Sequence, residues 1–296
     1  MFADDTKIYK RIYDNEDHIS MQEDINRMLE WSEKWLLKFH PGKCHVVEIS
    51  NTRVKNKFEY KMENTVLEHV DEEKDLGVTI DNQLDFEQHI TNKVKTANKV
   101  MGTIRRMYKH LNESNFKKLY VGLVRPHLEY AQSVWSPGKK SQVDKLEEVQ
   151  RRATKQIPGL SNMSYEDRLR KLKLPSLVYR RLRGDMIEMY KLLSPNNLYD
   201  PRITDFIKKK EHQVTTNMVL RSQNSQITEP TGKKRIRENY FTCRSQLLWN
   251  NLDKTIVGAP NVNIFKNRLD KHWRNQDFLY NYESPMNRLQ TSNLPE

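Results

Sequence analysis

The fold of this chain is decided by residues 89–111, HITNKVKTANKVMGTIRRMYKHL, which carry the clearest helical pattern in the sequence. Apolar residues recur there in alternating steps of four and three: Ile90, Val94, Ala97, Met101, Ile104, Tyr108 and Leu111. Basic residues mostly fall off this stripe: Lys93, Lys95, Lys99, Arg105, Arg106 and Lys109. The spacing predicts an amphipathic helix that buries one face and leaves a basic face outside.

Helical patterns continue towards the carboxyl terminus. Capping signals stand at three positions: Ser114, Ser141 with Asp144, and Ser164 with Asp167. Pro126 is expected to kink or end the helix that Ser114 opens, and a further helix is expected over Leu177–Leu193. Residues 194–232, rich in Pro, Asn, Ser, Thr and Gln, predict a linker or mobile insertion. A small α-rich unit is expected over residues 233–296.

Residues 1–83 mix helix and strand. Helical spacing predicts a helix between residues 14 and 39 that ends at His40-Pro41-Gly42, with the side chains of Trp31 and Trp35 packed. Alternating apolar residues predict strands over residues 44–49, 58–62 and 76–80. The fold class is therefore α+β, with a mixed region 1–83 followed by a mainly helical region 84–193.

Composition narrows the classes of protein. At 296 residues, the chain predicts two or three compact units. It has no run of about 18 apolar residues, and acids stand near its start where a signal peptide would be basic and then apolar, so an intracellular protein, nuclear or cytoplasmic, is expected. Cys44 and Cys243 are too few for a disulfide framework and are expected to be reduced thiols.

Charge is unevenly distributed along the chain. Residues 1–90 hold 12 Lys and Arg against 20 Asp and Glu, a net charge of −8, whereas residues 91–183 hold 22 against 7, a net charge of +15. Residues 184–296 have a net charge of +5. So dense a set of cations favours nucleic acid as a partner over an anionic membrane. Charge alone is equally compatible with a solvated helical surface.

A short acidic motif, Phe2-Ala3-Asp4-Asp5, lies at the amino end. Two-metal phosphoryl transfer needs closely placed carboxylates, because two Mg²⁺ ions must hold the attacking and the leaving oxygen. Taken by itself, the pair is better explained as a surface turn or a helix entry.

Further motifs in this order resemble the jockey-like reverse transcriptases of non-LTR (LINE-type) retrotransposons, in their carboxyl-terminal part. They are Phe2-Ala3-Asp4-Asp5-Thr6-Lys7, Trp31-Ser32-Glu33-Lys34-Trp35, Lys43-Cys44, Lys74-Asp75-Leu76-Gly77-Val78, Leu123-Val124-Arg125-Pro126-His127-Leu128-Glu129-Tyr130, Val149-Gln150-Arg151-Arg152-Ala153-Thr154-Lys155 and Arg180-Arg181-Leu182-Arg183-Gly184-Asp185. The tail also fits, through Trp249-Asn250-Asn251-Leu252 and Phe265-Lys266-Asn267-Arg268-Leu269-Asp270, so the resemblance covers nearly the whole chain.

The resemblance implies roles for single residues. Asp4 and Asp5 resemble the catalytic carboxylates of the polymerase palm that bind Mg²⁺. Lys43 resembles the lysine that acts as general acid towards departing pyrophosphate, although a solvated lysine after a Pro-Gly turn fits as well. Leu76 and Gly77 resemble the primer-grip hairpin, with a simple strand bulge as the alternative.

The resemblance also implies an architecture and partners. Residues 1–83 would be a partial palm with strands and one helix, residues 84–193 a thumb-like helical region, and the remainder an α-rich extension. The parent activity would be RNA-directed DNA synthesis from dNTPs, with an RNA template and a DNA primer or an RNA–DNA duplex, and without a membrane. The expected nucleic-acid-binding residues are Lys93, Lys95, Lys99, Arg105, Arg106, Lys109, Arg151, Arg152 and Lys155.

The amino end of the chain leads to a further expectation. In the family, the second metal-binding carboxylate and the fingers precede the Asp pair, and this chain begins just before that pair. We therefore expect a fragment of such a polymerase, truncated at the palm motif and inactive alone. The alternative is a non-catalytic nucleic-acid-binding or retroelement RNP interaction protein, and a third possibility is an unexpressed pseudogene product.

Overall fold

The computed structural model describes residues 5–50, 58–109, 111–194 and 239–284. The chain divides into two compact units, Met1–Leu84 and Asp85–Glu296. Asp4 and most of the expected linker 194–232 lie outside the described residues. None of the described helices is long and apolar enough to cross a membrane.

The first unit consists of one helix and short strands. Its helix α1 spans Asn15–Lys34, and the side chain of Asp14 caps it by accepting a hydrogen bond from the Asp17 backbone N–H at 3.1 Å. The strands are β1 (His45–Val46), β2 (Lys61–Met62), β3 (Thr65–Val66), β4 (Glu68–His69), β5 (Glu72–Asp75) and β6 (Val78–Asp81). β1 pairs with β4 in parallel, while β2–β3 and β5–β6 are antiparallel. Ile25, Tyr60, Met62 and Leu67 form the small core.

The sequence predicted this unit only in outline. Helix α1 ends at Lys34, well before the His40-Pro41-Gly42 stop, and a 3₁₀ turn occupies Pro41–Lys43. The packing expected of Trp35 is wrong, because 60% of that side chain is exposed, whereas Trp31 is half-buried. Two of the three predicted strands shrink to two-residue pairings: β1 pairs with the distant β4, whereas β2 pairs with β3 in an adjacent hairpin.

A tight hairpin joins β5 to β6. Its two turn residues, Leu76 and Gly77, have φ angles of 44° and 82°. Positive φ at both central positions is the geometry that matches the twist of a two-residue hairpin. Glycine adopts it without strain, whereas it is uncommon for leucine. The bulge considered for Leu76-Gly77 is therefore wrong, since the pair forms the turn itself.

The second unit is helical in the residues that the structure describes. Its helices are α2 (Glu87–Met107), α3 (Glu113–Leu119), α4 (Arg125–Glu129), α5 (Gln132–Trp135), α6 (Lys140–Lys155), α7 (Tyr165–Leu172), α8 (Leu177–Leu193), α9 (Phe241–Asn250), α10 (Lys254–Val257) and α11 (Val262–His272). The prediction for α8 is confirmed at both ends. The Ser164 cap of α7 is also confirmed, because its hydroxyl accepts from the Asp167 backbone N–H at 3.1 Å.

Two other predicted caps are wrong. Asn112, rather than Ser114, caps α3 by accepting from the Asn115 backbone N–H at 2.8 Å. Helix α6 begins before Ser141, with Lys139 at the cap position and no side-chain hydrogen bond there. In both cases the helix begins earlier than the serine, so the serine lies inside the helix.

A π-helical turn, Tyr120–Val124, joins α3 to α4. Pro126, which has no backbone N–H to donate, lies in the first turn of α4, directly after the π-helical turn. The helix therefore does not end near Pro126, because α3, the π-helical turn and α4 follow one another without a break. Tyr120, Val124 and Leu128 are fully buried along it.

The helices that precede and follow residues 195–238 share one hydrophobic core. Tyr190 of α8 stacks on Phe265 of α11, with ring centroids 4.4 Å apart. The hydroxyl of Ser176, the cap of α8, donates to the Phe278 carbonyl at 2.8 Å. Residues 239–284 are therefore built into the second unit, which differs from the separate small unit expected over 233–296.

Candidate nucleic-acid interface

Helix α2 has the two predicted faces as far as Ile104, but it ends at Met107, and Tyr108, expected in the buried stripe, is 47% exposed. Ile90, Ala97, Met101 and Ile104 are at most 5% exposed. At 3.6 residues per turn, Lys95, Lys99 and Arg106 fall on the opposite side, and all three are exposed. We call these three residues the outward row. It spans about 16 Å along the helix axis.

Three cations of α2 have no acidic partner among the described residues. Within the described ranges, no acidic side chain forms an ion pair with Lys95, Lys99 or Arg105. The acid of the helix, Glu87, lies in its first turn and pairs with Lys145 at 3.1 Å. A basic surface without local counter-charges attracts polyanions and releases their counterions.

Among the remaining expected binding residues, some are exposed and others make contacts within the protein. Lys109 and Lys155 are exposed. The Arg151 guanidinium lies 5.2 Å from the ring centroid of Tyr165 and donates to the Tyr282 hydroxyl at 2.9 Å. Arg151 and Arg152 both pair with Glu148, at 3.3 and 3.4 Å. Part of the α6 cations therefore make contacts within the protein, and the outward row of α2 is the more available basic surface.

The Arg180–Asp185 motif is structural. Arg180 donates to Glu129 at 2.8 Å, and Arg183 donates to Asp270 at 2.7 Å. Arg244 holds Asp185 through two hydrogen bonds of 2.9 and 3.0 Å, and Asp185 is only 2% exposed. Sequence reasoning missed these pairs, because each partner lies 51 to 87 residues away.

A buried polar network on α6 was also missed. Glu147 is fully buried and accepts hydrogen bonds from the Tyr165 hydroxyl at 2.7 Å and from the Val178 backbone N–H at 2.9 Å. Burial raises the pKa of Glu147 and also raises the pKa of Tyr165. Gln150 accepts from the Tyr120 hydroxyl at 2.9 Å and donates to the Pro175 carbonyl at 3.1 Å. Glu147 and Gln150 lie three residues apart on α6 and so share a face, but the sequence alone does not show that this polar face is buried.

The structure describes two of the three expected catalytic residues, Asp5 and Lys43. Asp5 is exposed, and Asp4 lies outside the described residues. Lys43 is exposed at the end of its 3₁₀ turn, where its backbone N–H donates to the His40 carbonyl at 2.9 Å. Among the residues that the structure describes, no three His, Cys, Asp or Glu side chains are grouped so as to hold a metal ion. The described side chains therefore do not make up a magnesium site by themselves.

His89 lies in the first turn of α2 and is 1% exposed, with its ring centroid 5.2 Å from that of Trp135. Burial, with a smaller contribution from the Lys93 ammonium, lowers the pKa of His89 to about 4. The folded protein therefore holds His89 neutral. The unfolded chain binds a proton at a pH near the ordinary value of 6.5.

This depressed pKa predicts a loss of stability in acid. As the pH falls from about 6.5 towards 4, the unfolded state gains a proton that the folded state does not, so the free energy of unfolding decreases. The His89 contribution at pH 5 is about 2 kcal/mol relative to neutral pH. Urea unfolding of the parent chain and of His89→Gln at pH 7 and pH 5 measures it. The stability advantage of the parent should shrink by that amount at pH 5, and an equal difference at both pH values would contradict the prediction.

Curated relatives give an independent comparison. The RNA-directed DNA polymerase from mobile element jockey of Drosophila funebris is 28% identical over 143 residues, 47% of this chain and 16% of that protein. Its counterpart of Drosophila melanogaster is 26% identical over 161 residues, and the probable RNA-directed DNA polymerase from transposon BS of the same organism is 24% identical over 164 residues. Each of these two matches covers 53% of this chain and 18% of the relative.

The chain therefore spans less than a fifth of the length of these relatives. No family model and no solved structure matches it. Over about half its length, this chain is homologous to the RNA-directed DNA polymerases of non-LTR retrotransposons, the family that its motifs resemble.

Proposed function

We propose that the second unit binds the phosphate backbone of nucleic acid through α2, as part of an RNA-directed DNA polymerase. The observation that carries this proposal is the outward row, which is exposed, basic and free of ion pairs with the described acids. Lysine and arginine contacts to phosphates give affinity and position without reading base sequence. Binding is therefore largely independent of sequence.

The finer assignments rest on the motif resemblance, and the relatives' names support only the general activity. In that reading, the first unit is part of a palm, α2 and its neighbours form a thumb, and the nucleic acid is an RNA template with a DNA primer. Asp4 and Asp5 would supply carboxylates to Mg²⁺, and dNTPs would be the substrates. The expectation that this chain is inactive alone stays a prediction, which primer extension on a primed RNA template with Mg²⁺ would measure.

Charge reversal tests the proposed phosphate contacts. In Lys95→Glu/Lys99→Glu/Arg106→Glu, three contacts are lost, so the slope of log affinity against log salt on a DNA duplex should fall in magnitude by about 3. We expect the affinity at ~100 mM salt to fall by roughly 10- to 100-fold or more. Fluorescence anisotropy over a salt series measures both quantities.

A matched variant controls for net charge. Lys254→Glu/Lys271→Glu/Arg274→Glu changes the charge of the same unit equally at three exposed positions of α10 and α11 or just after them. If binding depends on α2, this control keeps most of the affinity and the salt slope. Equal losses in both variants would mean that overall charge, rather than the outward row, holds the nucleic acid.

A further inference from the structure

An exposed tyrosine lies beside the basic helix. Tyr130, at the carboxyl end of α4, has 53% of its surface exposed. The Lys93 Nζ lies 5.7 Å from its ring centroid. An aromatic ring with a cation over it, open to solvent next to a surface that binds phosphate, combines the two groups that hold a single nucleotide.

The backbone presents the Tyr130 ring in a fixed position. Its N–H donates to the Pro126 carbonyl at 3.0 Å, and its carbonyl accepts from the Trp135 indole N–H at 2.6 Å. Trp135 is fully buried. The next residue, Ala131, turns sharply with a φ of 52°. Because hydrogen bonds fix the backbone on both sides of Tyr130, stacking of a ligand on the ring costs little backbone entropy.

Lys93 connects this ring to the proposed phosphate surface. Viewed down the axis of α2, Lys93 lies at the edge of the buried face, on the side nearer to Lys99. Along the axis, Lys93 and Lys99 are about 9 Å apart. A strand whose phosphates follow the outward row can therefore bring one nucleotide close to Lys93 and Tyr130.

We propose that Tyr130 and Lys93 form a stacking site for an unpaired nucleobase, with Lys93 beside its phosphate. This inference rests on the proposed function, because the outward row brings the strand to the site. Every base has a π-face, so the site accepts any base. In an intact duplex the base faces are covered by their neighbours, so the ring contacts single-stranded nucleic acid or a single strand that adjoins a duplex.

The test compares two ligands with the full chain. Tyr130→Ala should weaken binding of a single-stranded oligonucleotide by about tenfold or more, which is the usual loss for one stacked base. Binding of a blunt duplex of the same length should stay within about twofold. Tyr130→Phe keeps the ring and should bind both ligands like the parent. Tyr240→Ala, at a tyrosine of the same unit with 55% exposure, should also leave both affinities unchanged.

A second readout follows stacking directly. A single strand with 2-aminopurine at successive positions should show quenching at one position with the parent and with Tyr130→Phe, and recovery with Tyr130→Ala. Unchanged single-strand affinity in Tyr130→Ala, or an equal loss on both ligands, would overturn the stacking site. Failure of the proposed function looks different, since the parent would then bind neither ligand or the outward-row variant would bind both normally.

Discussion

Replacing Asp185 by alanine is expected to destabilise the second unit by about 3–5 kcal/mol. Asp185 is 2% exposed, and Arg244 holds both of its carboxylate oxygens. Without that carboxylate, the guanidinium of Arg244 stays largely buried and uncompensated, and the neighbouring buried Arg181 also loses an attractive charge. Denaturant unfolding of the full chain measures the loss.

Another arginine–aspartate pair of the same unit provides the control. Arg183 and Asp270 also form two hydrogen bonds, but 43% of the Asp270 side chain is exposed. Asp270→Ala should therefore cost about 1 kcal/mol or less, because water replaces much of the interaction. The double variant Asp185→Leu/Arg244→Met should lose less stability than Asp185→Ala, since no buried charge is left alone. Equal losses for Asp185→Ala and Asp270→Ala would mean that burial does not set the cost.

Trp273→Ala is expected to remove about 3–5 kcal/mol from the same unit. The indole is fully buried and meets two rings nearly edge-on, Tyr179 at 5.9 Å and Phe278 at 5.5 Å between centroids. Alanine would leave a large cavity between α8 and α11, which the backbone cannot collapse to fill. The midpoint of thermal or denaturant unfolding should shift accordingly.

Two further variants serve as controls for the Trp273 prediction. Trp273→Phe keeps an aromatic ring and should cost much less than alanine. Tyr240→Ala, at an exposed aromatic position of the same unit, should change stability by no more than about 0.5 kcal/mol. A loss in Trp273→Ala as small as that of Tyr240→Ala would show that residues 239–284 contribute little to the core.

The sequence predicts the elements of the second unit better than their contacts. The stripe on α2 and the bounds of α8 follow from local periodicity, which depends on residues three and four apart. The strands of the first unit are harder, because β1 pairs with β4 across 23 positions and only two residues of each take part. Nothing in a two-residue strand distinguishes it from a loop before its partner is known.

The same difference between local patterns and distant contacts applies to the candidate interface. The availability of the outward row is predictable, because an amphipathic helix must turn its polar face outward. The roles of Arg151 and Arg183 are not, because a basic residue that pairs within the protein has the same local sequence as one that faces solvent. Their partners Tyr282 and Asp270 are 131 and 87 residues away.

The π-helical turn at Tyr120–Val124 has a consequence for helical phase. Phe116, Tyr120, Val124 and Leu128 are all buried at strict steps of four. In a regular α-helix, each step of four drifts by about 40°, so the last of them would lie about 120° away from the first. The wider π turn absorbs this drift and keeps the four side chains in one line. Gain or loss of a single residue there would rotate everything beyond it, Tyr130 included, by about 100° about the axis.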